Sequence, residues 1–219
     1  MSEIKTMIAL PLMDMVHTSF MTSLLNLKRV GHCQCGVTQS SLVYDARNNL
    51  AQQAIDGGFD RILWLDSDMQ FEGDLMERLS KHLDDGKEFI SGLYVKRHIP
   101  TGPVIYEKVV FEKTDTQLKT MAVPYKDYPR DSVFEVQGAG FGCAMMNVDL
   151  LKRVKEKFGL PFSPLLGFGE DLTFCYYLNQ LGVKMWCDSS IKVMHVGSIG
   201  YTEDMYLKQR ERERNENGE

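Results

Sequence analysis

A mostly parallel α/β sheet flanked by helices, with a small β insertion, is the architecture this chain predicts, and three observations predict it. Strand-like apolar runs alternate with amphipathic helical stretches through the first half. Glycine and proline punctuate the junctions between them. A polar, proline-broken stretch from 100 to 134 then interrupts the alternation before strand and helix signals resume.

The elements follow in order. Residues 4 to 10, "IKTMIAL", read as a first strand, and 17 to 29 as a helix with Phe20, Leu24 and Leu27 on one face. A second strand covers about 32 to 38 and leads into "SSLVYDARNNLAQQAIDGG", a helix with Ser40 or Ser41 as its cap and Gly57 and Gly58 as its stop. The run "RILWL" from 61 to 65 is apolar enough for a strand buried on both faces. A helix over 73 to 85 and a strand over 88 to 94 complete a βαβ series, so helices are expected on both faces. From 100 to 134 a hairpin-like insertion is expected. "FEVQGAGFGCAMMNVDLLKRVKEKFG" then reads as strand, glycine turn, strand and helix. A helix beginning at Glu170 carries a narrow apolar stripe of Leu172, Cys175, Leu178 and Leu181, closed by Gly182, and "IKVMHVG" is a short strand ending in His195 and Gly197. One domain over residues 1 to 200 and a charged tail over 201 to 219 divide the chain, the tail reading as a solvated helix or frayed end.

With 219 residues, 43% hydrophobic and 25% charged, the chain can bury a large core, and extended disorder is excluded. A net charge of -5 exerts no general pull toward nucleic acid or anionic membrane. No apolar run is long enough to span a bilayer, and the acid-containing N-terminus with Pro11 reads as a strand instead of a signal peptide. Five scattered cysteines suggest reduced thiols in a cytoplasm. Cys33 and Cys35 beside His32 raise the thought of zinc, but no second close pair completes a tetrahedral set, so buried structural thiols are expected.

Two segments carry chemistry. In "RILWLDSDMQF", Asp66 and Asp68 stand at the carboxyl end of a buried strand. On an extended chain such alternate residues point the same way, so both can converge on one ligand, and a divalent cation or a ligand rich in hydroxyl or positive groups would relieve their repulsion. In "LGFGEDLTFC", Glu170 and Asp171 open a helix behind Gly167 and Gly169. An acid in a first helical turn is favoured by the helix dipole alone. Two of them behind glycines that admit a ligand point further, to a group that accepts a proton.

A hydrophobic strand ending in D-x-D, a later G-x-G-E-D-x-x-F-C helix start and a final M-H-x-G strand together resemble the GT-A class of nucleotide-sugar-dependent glycosyltransferases, particularly its family-2-like members, through nearly the whole chain to about Ser198. The resemblance implies a Rossmann-like GT-A domain that transfers a sugar from a nucleoside-diphosphate sugar, with UDP favoured and GDP second, to a hydroxyl acceptor, with inversion favoured over retention by the Glu170-Asp171 pair. It implies Mn²⁺ or Mg²⁺ on the donor diphosphate, bound directly by Asp68, with His195 completing the metal site and Asp66 either a further metal ligand or a contact to the ribose or the metal's water shell. Asp171 corresponds to the general base, with Glu170 as the alternative. Pro11 would end the first strand before a nucleotide-holding loop in which Asp14 is a candidate base or ribose contact, and Arg47 would meet the nucleotide or its phosphates. Gly138, Gly140 and Gly142 would leave room for donor sugar or acceptor, or else form a tight turn or bulge between strands. The chain is close to a minimal catalytic domain, which leaves the acceptor open among glycan, small molecule, protein and modified nucleic acid.

Two other readings compete. Aspartate-nucleophile phosphatases also carry D-x-D after an apolar strand, but Met69-Gln70 lacks the small hydroxyl residue usual after that motif, and the strand here is third instead of first. A noncatalytic nucleotide-sugar-binding protein with the same fold is the other.

Overall fold

The element order is β1 (Lys5–Leu12), α1 (Thr18–Asn26), β2 (His32–Gln39), α2 (Val43–Asp56), β3 (Arg61–Leu65), β4 (Met69–Gln70), α3 (Leu75–Asp84), β5 (Phe89–Leu93), β6 (Ile105–Lys113), β7 (Leu118–Pro124), β8 (Val133–Val136), β9 (Gly138–Ala139), β10 (Cys143–Asn147), α4 (Val148–Phe158), α5 (Glu170–Gln180), β11 (Met185–Lys192) and β12 (Met194–His195). The computed structural model describes residues 3–98, 100–113 and 118–198, with Glu203 and Leu207, both helical, beyond them. The rest of the charged tail expected from 201 onward lies outside the described residues.

Seven strands form the central sheet in the order β2-β1-β3-β10-β5-β11-β8. Five run the same way, and β10 and β8 run against them, so the sheet is mostly parallel. Period-two alternation divides the core into two layers. Met7, Ala9, Ile62, Trp64, Ala144 and Met146 face one layer, which α2, α4 and α5 cover. Ile8, Leu10, Leu63, Leu65, Cys143 and Met145 face the other, covered by α1 and α3. The insertion is an antiparallel β6–β7 hairpin to which β9 adds, making a separate three-stranded sheet. Among the described residues no helix is long and apolar enough to cross a membrane.

Several boundaries differ from the sequence reading for local reasons. The first helix stops at Asn26, three residues short, because Leu27 turns extended into the core and the Lys28 N–H donates to the Gly73 carbonyl at 2.8 Å. Neither Ser40 nor Ser41 caps α2. Leu42 is its N-cap, and Ser40 Oγ accepts from the N–H of that cap residue at 3.1 Å instead of from the helix. Pro11 does not end β1, which continues to Leu12 paired with β2. Pairing with β3 stops at Ala9, so the missing proline N–H costs no bond on that side. The strand expected to start at Ile191 begins at Met185 and ends at Lys192 as β11, and Met194–His195 pairs separately with β4. The apolar face of α5 is centred on Phe174, Cys175 and Leu178, while Leu172 and Leu181 are only partly buried.

All five cysteines are free thiols. Burial pushes those of Cys143, Cys175 and Cys187 up to about 12.

Candidate active site

The parallel strands place their carboxyl ends together, where open α/β sheets bind ligands. Here the chain leaves β3 and turns. The Met69 N–H donates to the Asp66 carbonyl at 3.1 Å, so Asp66, Ser67 and Asp68 form a tight turn and not the extended segment their spacing suggested. The two carboxylates therefore take different partners.

Asp66 faces inward. Arg47 Nη2 donates to both of its oxygens, at 2.9 and 3.2 Å, while Arg47 Nε donates to Glu170 Oε1 at 3.1 Å. The arginine side chain is 2% exposed and its guanidinium lies 5.5 Å from the Trp64 ring centroid and 5.6 Å from that of Phe141. One buried residue on α2 thus joins the D-x-D turn to the first residue of α5. It pairs with neither Asp45 nor Asp14, and with Nε and Nη2 engaged no free fork remains for a phosphate. Two buried side-chain polar atoms have no partner among the described residues, Arg47 Nη1 and Trp64 Nε1, and both belong to this cluster. The adjacent Asn48 is structural: it donates to the Phe162 carbonyl at 2.6 Å and accepts from the Phe162 N–H at 3.0 Å, pinning the loop before α5 to α2.

Burial raises the pKa of Asp66, and Arg47 only partly offsets this. Asp171, one residue beyond Glu170, is pushed up to about 6 by burial and by the Glu170 charge, although its Oδ1 accepts from the Leu172 N–H at 2.7 Å. Burial and the Asp171 charge also raise Tyr106, on the insertion hairpin. The site therefore holds a carboxylate ion-paired to arginine beside a second whose proton is exchanged near neutral pH.

Asp68 faces outward. Its Oδ2 accepts from Arg97 Nη1 at 2.6 Å and stands 3.3 Å from His195 Nε2. Burial pulls this carboxyl up, but the bond to His195 and the charges of His195 and Arg97 carry it below the usual range. His195 is raised, chiefly by the bond to Asp68. Its Nδ1 lies 3.0 Å from the Val95 carbonyl, which can only accept, so Nδ1 carries a hydrogen and Nε2 is the nitrogen turned to Asp68.

That imidazole and that carboxylate suit a divalent cation: with the hydrogen on Nδ1, the Nε2 lone pair and an Asp68 oxygen 3.3 Å away would offer it a nitrogen and an oxygen donor, and a backbone carbonyl orients the imidazole from behind. Asp66 does not complete the set, being held by Arg47, and among the described residues no three metal-ligating side chains gather. The residues present thus fit the ion through Asp68 and His195, with Asp66 outside.

A groove of about 550 Å³ opens beside Asp68, bounded by Met13, Asp14, His17, Ser67 and Arg97. The His17 N–H donates to the Ser67 carbonyl at 3.2 Å, tying the loop after β1 to the D-x-D turn. Asp14 is exposed in this groove, so the structure brings it together with Asp68 but not with Asp171's buried cluster.

The glycines serve close packing rather than free volume. A Cβ at Gly140 would stand 2.0 Å from the Tyr94 hydroxyl and 2.6 Å from Val104, and one at Gly142 would stand 2.4 Å from Met69. Tyr94 is buried, its hydroxyl accepts from the Gly142 N–H at 3.2 Å, and its ring meets His195 edge-on at 5.5 Å. Gly140→Ala should accordingly displace Tyr94 and cost about 1 to 3 kcal/mol in denaturant unfolding. An unchanged midpoint would show that the tyrosine moves freely.

Sequence reasoning missed Tyr94 and Arg97. The second left a signal in the basic run Lys96-Arg97-His98 just past a strand's carboxyl end; the first left none, since a tyrosine ending a buried strand reads as core.

No protein-family model matches the chain, and no curated protein matches it in sequence. Solved structures do match its fold. A197 from STIV aligns with a TM-score of 0.65 at 17% identity, over 89% of this chain and 87% of that one. GalNAc-T7, solved with UDP, GalNAc and Mn²⁺, aligns with a TM-score of 0.60 at 10% identity, over 94% of this chain. The chain spans a little under half, 46%, of the GalNAc-T7 chain. At these identities the likeness is one of fold, and the fold is GT-A-like.

Proposed function

We propose that the chain is a metal-dependent glycosyltransferase that moves a sugar from a nucleoside-diphosphate sugar, with UDP favoured over GDP, to a hydroxyl acceptor, with inversion. One observation carries the reading. Three segments far apart in the chain, the D-x-D turn, the Glu170-Asp171 helix start and the late His195, meet at the carboxyl ends of the sheet, two of them joined directly by Arg47. The fold shared with a structure that holds UDP, GalNAc and Mn²⁺ supports it.

In this reading the groove beside Asp14 and Asp68 takes the nucleotide diphosphate, and Asp68 with His195 holds Mn²⁺ or Mg²⁺. The bound ion would stabilise, as a Lewis acid, the negative charge developing on the departing diphosphate. Asp171 accepts the acceptor hydroxyl's proton; its raised pKa, about 6, makes it a stronger base than an ordinary aspartate while leaving it ionised at neutral pH. Glu170 and Asp66, both held by Arg47, set the position of Asp171's helix relative to the D-x-D turn. Free, largely buried thiols fit a cytoplasmic setting.

The test is a screen of UDP- and GDP-sugars with Mn²⁺, read by thermal shift and by sugar release. Binding without turnover favours a noncatalytic binder, and aryl phosphate hydrolysis without nucleotide-sugar turnover favours a phosphatase. In an active enzyme, Asp68→Ala should lower metal-dependent turnover by about two decades or more. Full turnover in excess chelator would remove the metal from the scheme.

A further inference from the structure

Asp68 Oδ2 is addressed twice: by Arg97 Nη1 at 2.6 Å and by His195 Nε2 at 3.3 Å. A dication held by Asp68 and His195 would stand beside the guanidinium, and two cations cannot share one carboxylate oxygen without strong repulsion. Arg97 is free to yield. Its side chain is 53% exposed, so little packing holds its guanidinium in place. It also lines the groove with Asp14, His17 and Ser67, where an incoming anion would lie. A guanidinium displaced from a carboxylate finds in a diphosphate the same planar, two-oxygen partner.

We propose that Arg97 is an exchanging counter-ion: it neutralises Asp68 in the ligand-free chain and moves onto the diphosphate of the nucleotide when the cation takes its place. The inference rests on the nucleotide-sugar reading above. Metal and diphosphate binding are then coupled through one side chain, since the ion releases the arginine that the anion needs. The arginine also keeps the aspartate paired when no ligand is bound.

The exchange makes a prediction of opposite signs. In Arg97→Gln, Mn²⁺ alone, followed by electron paramagnetic resonance of the free ion, should bind about two- to tenfold more tightly, because its competitor is gone. Uridine diphosphate, titrated calorimetrically in saturating Mn²⁺, should bind about tenfold more weakly, because its cation is gone. Arg97→Lys, which retains charge but not the fork, should leave Mn²⁺ affinity near wild type and recover only part of the diphosphate affinity. Unchanged or weaker Mn²⁺ binding in Arg97→Gln, or undiminished diphosphate affinity, overturns the exchange while leaving the transferase reading intact. Wild-type protein that binds neither Mn²⁺ nor uridine diphosphate overturns both.

Discussion

Asp171→Asn is expected to lower sugar transfer by about two to four decades, to leave nucleotide binding unchanged, and not to lower the melting temperature near pH 7. Asparagine preserves the shape and can still accept from the Leu172 N–H through its carbonyl, so only the proton acceptor is lost. The stability arm follows from the direction of the shift. Burial raises the folded carboxyl from 3.8 to about 6, so whatever stability it contributes is fully present below about pH 4 and is lost as pH rises through about 6. Near pH 7 the ionised group is therefore a burden of up to about 3 kcal/mol, which the amide removes. Turnover of the wild type should rise through the same interval as the base ionises. Equal turnover in the variant would exclude the role, and a large fall in melting temperature would show Asp171 to be a structural acid instead.

Arg47→Met should have the largest effect on stability. Removing the guanidinium leaves Asp66 and Glu170 in a largely desolvated cluster without their cation, and breaking such a pair from one side costs about 3 to 5 kcal/mol. Arg47→Lys should recover only part of this, since an ammonium does not reproduce the fork that reaches both Asp66 oxygens through Nη2 and Glu170 through Nε. Activity should fall in both variants, because the D-x-D turn and α5 lose their link. Chemical denaturation beside titration with uridine diphosphate separates this role from direct nucleotide binding. Reduced nucleotide affinity with an unchanged unfolding midpoint would make Arg47 a nucleotide ligand and refute the tie.

Much of this architecture was legible because its signals are local. Short apolar runs located β1 and β3, a one-sided apolar stripe located α1, and Gly57-Gly58 and Gly182 marked true helix ends. The eleventh strand was half hidden. Its "MWCDSS" carries an acid and two serines that look unfit for a sheet, yet Asp188 is only 5% exposed, paired at 2.9 Å with His82 of α3, and the Ser189 hydroxyl donates to the Pro129 carbonyl at 2.7 Å. Polar residues of a core strand become readable as such only once their distant partners are known.

The candidate site divides in the same way. The order of elements, the two acid-bearing motifs and the late histidine are properties of the sequence by itself, because residue type and short spacing suffice to state them. Which acid faces which cation is not such a property. Asp66 and Asp68 are two residues apart, yet one is bound by an arginine 19 positions upstream and the other by residues 29 and 127 positions downstream, Arg97 and His195. Only the tertiary structure decided that division, because a four-residue turn after β3 sends the two carboxylates to opposite partners, and the pairing of charges depends on distance in space and burial, which spacing along a chain does not encode.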